Sequence, residues 1–220
     1  MGSLWSPVLI RQQKSRGYSN KIMVKVKICG ITNLEDALTA IEYGADMLGF
    51  IFAKSPRKVD PETVKEIVAN LPLSVTKVGV FMGHALLEVK AIMTTCGLDM
   101  AQLHHNEDAA FCAELFPRAI KTFTPETLPP FDELQHYQVA AFVLDKQKGS
   151  DTSPEELWPI AKEMGKYGWV ILAGALTPDN VSEAIRVAQP YAVDVASGVE
   201  REPGKKDHQK LEAFIKSAKP

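Results

Sequence analysis

VKVKICGITNLEDALTAIEYGADMLGFIF, residues 24–52, is the stretch on which the fold turns. Val24–Ile28 is a short, mostly β-branched run, and Cys29-Gly30 opens a turn behind it. In Asn33–Tyr43, Leu34, Ala37, Leu38 and Ile41 fall at helical spacing. Asn33 suits the N-cap, with Glu35 and Asp36 facing the positive end of the helix dipole. Met47–Phe52 then returns as a second apolar run.

The same unit repeats to the end of the chain. Further strands are expected at Thr76–Phe81, Met100–Leu103, Arg118–Thr122, Val139–Leu144, Trp169–Leu172 and Ala192–Ala196. Their largely continuous apolar character suits parallel strands covered on both faces. Helices are expected at Pro61–Asn70, Pro154–Met164 and Pro178–Ala188, each opening on proline, the last two behind the caps Ser153 and Thr177. The helix after the fifth strand should be short or irregular, because Thr124–Pro130 carries three prolines. Eight strand–helix units leave two architectures, a closed barrel or an open doubly wound sheet. No Gly-x-Gly-x-x-Gly turn follows the first strand, and chemistry-bearing residues follow several different strands. Both point to an α/β fold, a single (β/α)₈ barrel over residues 23–220.

A chain of 220 residues can bury roughly 70–75% of its unfolded surface in one core. A net charge of -2 supplies no basic field for nucleic acid, so any anionic ligand must be held by local groups. Three cysteines without a Cys-x-x-Cys pair make neither a disulfide framework nor a zinc site, and fit a reducing, cytoplasmic compartment. The longest apolar runs are too short for a membrane span. Residues 1–22 hold Arg11, Lys14, Arg16, Lys21 and several serines but no acidic residue. That bias suits a transit peptide, and so an organellar address; the plainer readings are an expression scar or an over-extended start ahead of Met23.

In a barrel, active groups gather at C-terminal strand ends. Read in order, those ends are Lys27-Ile28-Cys29-Gly30, Ser55-Pro56-Arg57, Gly79-Val80-Phe81, Gln102-Leu103-His104, Leu144-Asp145, Leu172-Ala173-Gly174 and Asp194-Val195-Ala196-Ser197-Gly198. Gly174 with Ala175, and Ser197 with Gly198, could bring backbone amides close to a phosphate after the seventh and eighth strands. Alternation puts Lys27 and Cys29 on one face, where the ammonium could draw the thiol toward thiolate. The plainer reading of Cys29 is a buried inert thiol, as for Cys96 and Cys112 in their helical patterns. Asp145 reads otherwise as a loop-opening Asx turn, Arg57 as a solvated charge, and His104 and Asp194 as satisfied interior groups.

KICGIT at 27–32, GFIF at 49–52, SPR at 55–57, VGVF at 78–81, QLH at 102–104 and LD at 144–145 strongly resemble the phosphoribosylanthranilate isomerase family of tryptophan biosynthesis. So do LAGALTPDNV at 172–181, VDVASGVE at 193–200 and PGKKD at 203–207. The resemblance runs from Met23 to the C-terminus. It implies an Amadori rearrangement of a phosphorylated aminoaldose, with one general base and one general acid and neither metal nor organic cofactor. It makes Cys29 the base and Asp145 the acid. Arg57 would meet the anthranilate carboxylate, with His104 beside the substrate and Asp194 beside its sugar. Members of the family occur as monomers and as homodimers.

Three departures from the family stand out. His105 replaces a usual glycine. Ala175 replaces another, tolerable only if that backbone avoids positive φ. Gly149-Ser150-Asp151 replaces a glycine-rich stretch, and Asp151 would repel a bound anion unless it points away. These departures leave open a catalytically silent barrel that still binds a phosphorylated sugar. A metal-dependent epimerase would need more strand-end histidines and carboxylates than this chain has. The histidine-pathway aminoaldose isomerase carries an aspartate where Cys29 stands.

Overall fold

The computed structural model describes residues 23–146 and 149–220; the expectation for residues 1–22 lies outside them, as do Gln147 and Lys148. Eight parallel strands close into a barrel in chain order: β1 (Lys25–Cys29), β2 (Met47–Ile51), β3 (Thr76–Phe81), β4 (Met100–Leu103), β5 (Ala119–Phe123), β6 (Ala141–Leu144), β7 (Val170–Leu172) and β8 (Ala192–Val195). The ring closes where Lys27 of β1 pairs in register with Asp194 of β8. The helices are α1 (Leu34–Glu42), α2 (Pro61–Ala69), α3 (Leu86–Cys96), α4 (Ala109–Ala113), α5 (Pro154–Met164), α6 (Val181–Ala188) and α7 (His208–Ala218).

Period-two alternation divides every strand between two environments. Val26 and Ile28 face outward and are fully buried in the core between strands and helices. Each such aliphatic side chain contributes about 2 kcal/mol on burial. Inside the ring, Met47, Val78, Ile120, Ala141, Val143, Ile171 and Ala192 form a separate apolar plug. That plug gives the mouth above it a solid floor.

The local chemistry explains the helix starts. Asn33 caps α1 by accepting from the Asp36 amide at 2.8 Å, and Asp60 caps α2 through the Thr63 amide at 3.0 Å. The Glu156 carboxylate reaches back to the Ser153 amide at 2.8 Å ahead of α5. Several expected boundaries move. β1 runs one residue further than the apolar run, so Cys29 lies within the strand, and β5 shifts by one residue to end at Phe123. The helix expected from Pro178 starts instead at Val181, with Asn180 rather than Thr177 as its N-cap residue. The reason is a tight turn, in which the Asn180 Oδ1 accepts from the Thr177 amide at 2.8 Å. After β5, the proline-rich segment yields only a 3₁₀ helix, Phe131–His136. After β8 a second 3₁₀ turn, Ser197–Val199, leads into an unforeseen hairpin of β9 (Glu200–Glu202) and β10 (Lys205–Lys206).

Candidate active site

A cavity of about 940 Å³ opens at the C-terminal mouth of the barrel. Its lining follows the inward alternation of the strands: Cys29, Ile51, Val80, Gln102, Thr122, Asp145, Ala173 and Asp194 each come from a different strand or the residue just beyond it. Arg57, His104, Gly174, Ala175, Ser197 and Gly198 line it as well. All the strand-end candidates named from sequence thus share one cavity.

Cys29 is buried beside Lys27, whose side chain is wholly inaccessible. Gly49 of β2 makes room for both: a Cβ there would stand 2.8 Å from the Cys29 Sγ and 3.2 Å from the Lys27 Nζ. The Lys27 Nζ donates to the Asp194 Oδ2 at 2.7 Å. Burial works against this ammonium, but Asp194 and Cys29 together hold it above its usual range. On the thiol the balance goes the other way. Burial pushes the Cys29 thiol up, Lys27 and Lys206 pull it down, and Asp194 pushes it up again, leaving it raised. The ammonium expected to favour the thiolate is in place, but it does not outweigh desolvation.

Asp145 has the complementary setting. Burial, reinforced by the nearby Asp194 carboxylate, pushes its carboxyl up to about 6, against a hydrogen bond from the Lys146 amide at 2.7 Å. Asp194 therefore acts on both groups. Its second oxygen, Oδ1, and the Gln102 Oε1 are buried acceptors without a partner among the described residues. Gln102 otherwise donates to the Thr122 Oγ1 at 3.2 Å. Two orphaned acceptors in a pocket call for donors from a ligand. Burial, helped by Lys121, keeps the His104 imidazole below its usual range and so neutral at physiological pH.

The turns after β7 and β8 interlock. A Cβ on Gly198 would stand 2.0 Å from the Leu176 carbonyl oxygen, so only glycine lets the two turns meet. Ala175 has φ +58°, the left-handed region in which its methyl is strained. The condition on which that alanine was tolerable is not met, and the turn keeps its shape at a cost. Asp151 is exposed and absent from the cavity lining, whereas Gly149 and Ser150 belong to it. His105 lines the cavity from an exposed position.

Two buried residues of the site escaped the sequence reading. Glu200 takes a forked pair from Arg57, Nε to Oε1 at 2.8 Å and Nη2 to Oε2 at 2.6 Å. Lys206 is wholly buried and donates to the Cys29 carbonyl at 2.6 Å and to the Glu200 Oε1 at 3.0 Å. Both residues stood within the quoted segments SGVE and PGKKD, but nothing local tied either to a partner far away in the chain. Among the described residues no three His, Cys, Asp or Glu side chains gather as a metal site would require, and no helix is long and apolar enough to cross a membrane.

A buried thiol, a carboxyl poised near neutrality and two interlocked backbone turns around one mouth define a (β/α)₈-barrel enzyme built for proton transfer. A family model described as N-(5'phosphoribosyl)anthranilate (PRA) isomerase matches residues 26–217. The chain belongs to that isomerase family. The N-(5'-phosphoribosyl)anthranilate isomerase of Geobacter metallireducens is 47% identical over 201 residues, covering 90% of this chain and 100% of the relative. The phosphoribosyl anthranilate isomerase structure from Thermus thermophilus is 38% identical with a TM-score of 0.80, over 88% of this chain and 98% of that one. Another phosphoribosyl anthranilate isomerase, solved with reduced 1-(o-carboxyphenylamino)-1-deoxyribulose 5-phosphate, is 38% identical with a TM-score of 0.75, over 89% and 98%.

Proposed function

We propose that this chain converts N-(5'-phosphoribosyl)anthranilate to 1-(2-carboxyphenylamino)-1-deoxyribulose 5-phosphate by an Amadori rearrangement, as the isomerase of tryptophan biosynthesis. The observation that carries the roles is the carboxyl of Asp145, pushed up to about 6 in the same cavity as the thiol of Cys29. A carboxyl with that proton affinity keeps a usable protonated fraction near neutral pH and releases its proton readily.

Asp145 gives its proton to the ring oxygen of the aminoaldose. The C1′–O bond opens, and the nitrogen lone pair forms a Schiff-base cation. That cation acidifies the C2′ hydrogen and stabilises a thiolate beside it, which offsets the burial that holds Cys29 in its thiol form. Cys29 takes the C2′ proton, and the resulting enolamine tautomerises to the aminoketose. The proton that Cys29 releases to solvent as its thiolate forms balances the one that solvent returns to Asp145, and Cys29 ends the cycle as the thiol it began as.

The remaining lining residues hold the substrate. Arg57 grips the anthranilate carboxylate, Asp194 and Gln102 accept from sugar hydroxyls, and neutral His104 packs beside the substrate. Backbone amides around Gly174, Ala175, Ser197 and Gly198 cradle the phosphate. Asp151 is exposed and outside the cavity lining, which weighs against the charge argument for a silent barrel. The test is the fluorescence of phosphoribosylanthranilate, which should decay on adding the protein. Saturable binding without decay would leave the silent barrel instead.

The enzyme would act in the cytoplasm on this one small phosphorylated ligand, as a monomer or homodimer. A similar structure is described as mutually generated monomers of the dimeric Thermotoga maritima enzyme (37% identical, TM-score 0.75, over 89% of this chain and 98% of that one). A light-scattering mass decides between the two states.

A further inference from the structure

Arg57 lies in the loop after β2 and Cys29 ends β1, yet the structure joins them through two side chains that do not line the cavity. Glu200 is buried, and both of its oxygens are engaged: Oε1 by the Arg57 Nε, the Lys206 Nζ and the Gly204 amide, Oε2 by Arg57. Its bonds from Arg57 and Lys206 outweigh burial and hold it below the usual carboxylate range. The Lys206 Nζ has three protons and three protein acceptors: the Cys29 carbonyl at 2.6 Å, the Ala196 carbonyl at 3.3 Å and the Glu200 Oε1 at 3.0 Å. Its donor capacity is therefore filled by protein atoms, although a lysine near a phosphate turn would suggest an anion ligand. The Arg57 chain lies over Gly30, where a Cβ would come within 2.6 Å of its Cδ.

We propose that Glu200 and Lys206 are positioning residues that fix the recognition arginine to the strand end bearing the base; the inference rests on Arg57 meeting the substrate carboxylate. A guanidinium has five N–H donors in a rigid fork. Glu200 occupies the Nε–Nη2 edge, so the two Nη1 hydrogens and the second Nη2 hydrogen are left for substrate, aimed by a buried carboxylate. Lys206 anchors that carboxylate to the Cys29 backbone. The distance between the carboxylate-binding end and the proton-transfer end of the substrate is thereby set by protein, before any ligand arrives.

Steady-state kinetics of Glu200→Gln, Arg57→Ala and the double variant test this. Glu200→Gln keeps the shape but loses the ionic fork. KM should rise about tenfold, a tenth of the affinity, with kcat within about threefold of the parent. In the Arg57→Ala background the same change should add less than about twofold to KM. An unchanged KM, or an equal rise in both backgrounds, overturns the proposal. If Glu200→Gln does not fold, Glu200→Asp replaces it. That variant retains the charge but cannot reach both cations, and the same KM pattern is expected and the same contrary results count against it. Arg57→Ala on its own separates the two ideas. A KM unaffected by Arg57→Ala removes arginine from substrate recognition, whereas a KM that responds to Arg57→Ala but not to the Glu200 variants removes only the positioning role.

Discussion

Around Cys29 the chain gathers three cations, Lys27, Lys206 and Arg57, whereas Asp145 accepts from a single backbone amide among the described residues and lies in the field of a second carboxylate, Asp194. The two groups are equally products of strand-end placement, on β1 and just after β6. Burial raises the proton affinity of both. What differs is the sign of the nearest charges. At Cys29 the strongest of them, Lys27, opposes desolvation; at Asp145 the strongest, Asp194, adds to it. The pair Lys27–Asp194, in register across the β1–β8 seam, supplies one charge of each kind. The proposed proton donor and acceptor can therefore share a low-dielectric pocket without being levelled by it.

Removing either partner is the most drastic way to break this comparison. Cys29→Ala and Asp145→Ala should each lower kcat by at least about a hundredfold, the scale of positioned acid–base groups. Near-normal turnover by either variant takes that residue out of the mechanism.

Lys27→Met should abolish the asymmetry from the Cys29 side. With its main opposing cation gone and Asp194 left unpaired, the Cys29 thiol rises further. A rise of one pH unit lowers kcat/KM at neutral pH by about tenfold and moves the alkaline limb of its pH profile upward. An unmoved alkaline limb would mean that Lys27 serves only the fold.

The Asp145 side is sharpened by stability rather than rate. Asp145 has its folded-state proton affinity raised from 3.8 to about 6, so the native protein binds this proton more tightly than the unfolded chain does. Its stabilising contribution is complete below pH ~4 and is lost as pH rises through about 6. About two pH units correspond to roughly 3 kcal/mol. Asp145→Asn removes this dependence. Its stability relative to the parent should improve by about 2 kcal/mol between pH 4 and pH 8 in urea titrations. A constant difference across that range would show that the carboxyl is not perturbed.

The smallest expected effect concerns the turn after β7. Ala175→Gly relieves a left-handed alanine at φ +58° while adding freedom to the unfolded chain, a net gain of up to about 1 kcal/mol. A loss of stability would show that the methyl is held by packing rather than merely tolerated.

The balance between sequence and structure can be read from these same residues. The barrel was legible because its strands and helices repeat with periods of 2 and 3.6, and hydrophobic burial forces those periods onto a covered parallel sheet. Alternation alone put Lys27 beside Cys29, and strand-end placement brought Cys29, Asp145, Arg57 and Asp194 to one mouth. The Glu200 fork closes over 143 residues of chain and the Lys206 bond to Cys29 over 177, separations at which local pattern carries no signal. The start of the helix at Val181 was missed because an Asn180 side chain competed for the backbone ahead of it. For Ala175 the sequence stated the condition, and only the folded backbone could answer it.

The sequence by itself thus determined the architecture and the chemical types gathered at the mouth, because periodicity and strand ends are local properties. Only the tertiary structure decided how strongly each group holds its proton and which cation each carboxylate keeps. Those quantities depend on burial and on charges brought together from opposite ends of the chain, and neither exists until the ring of strands has closed.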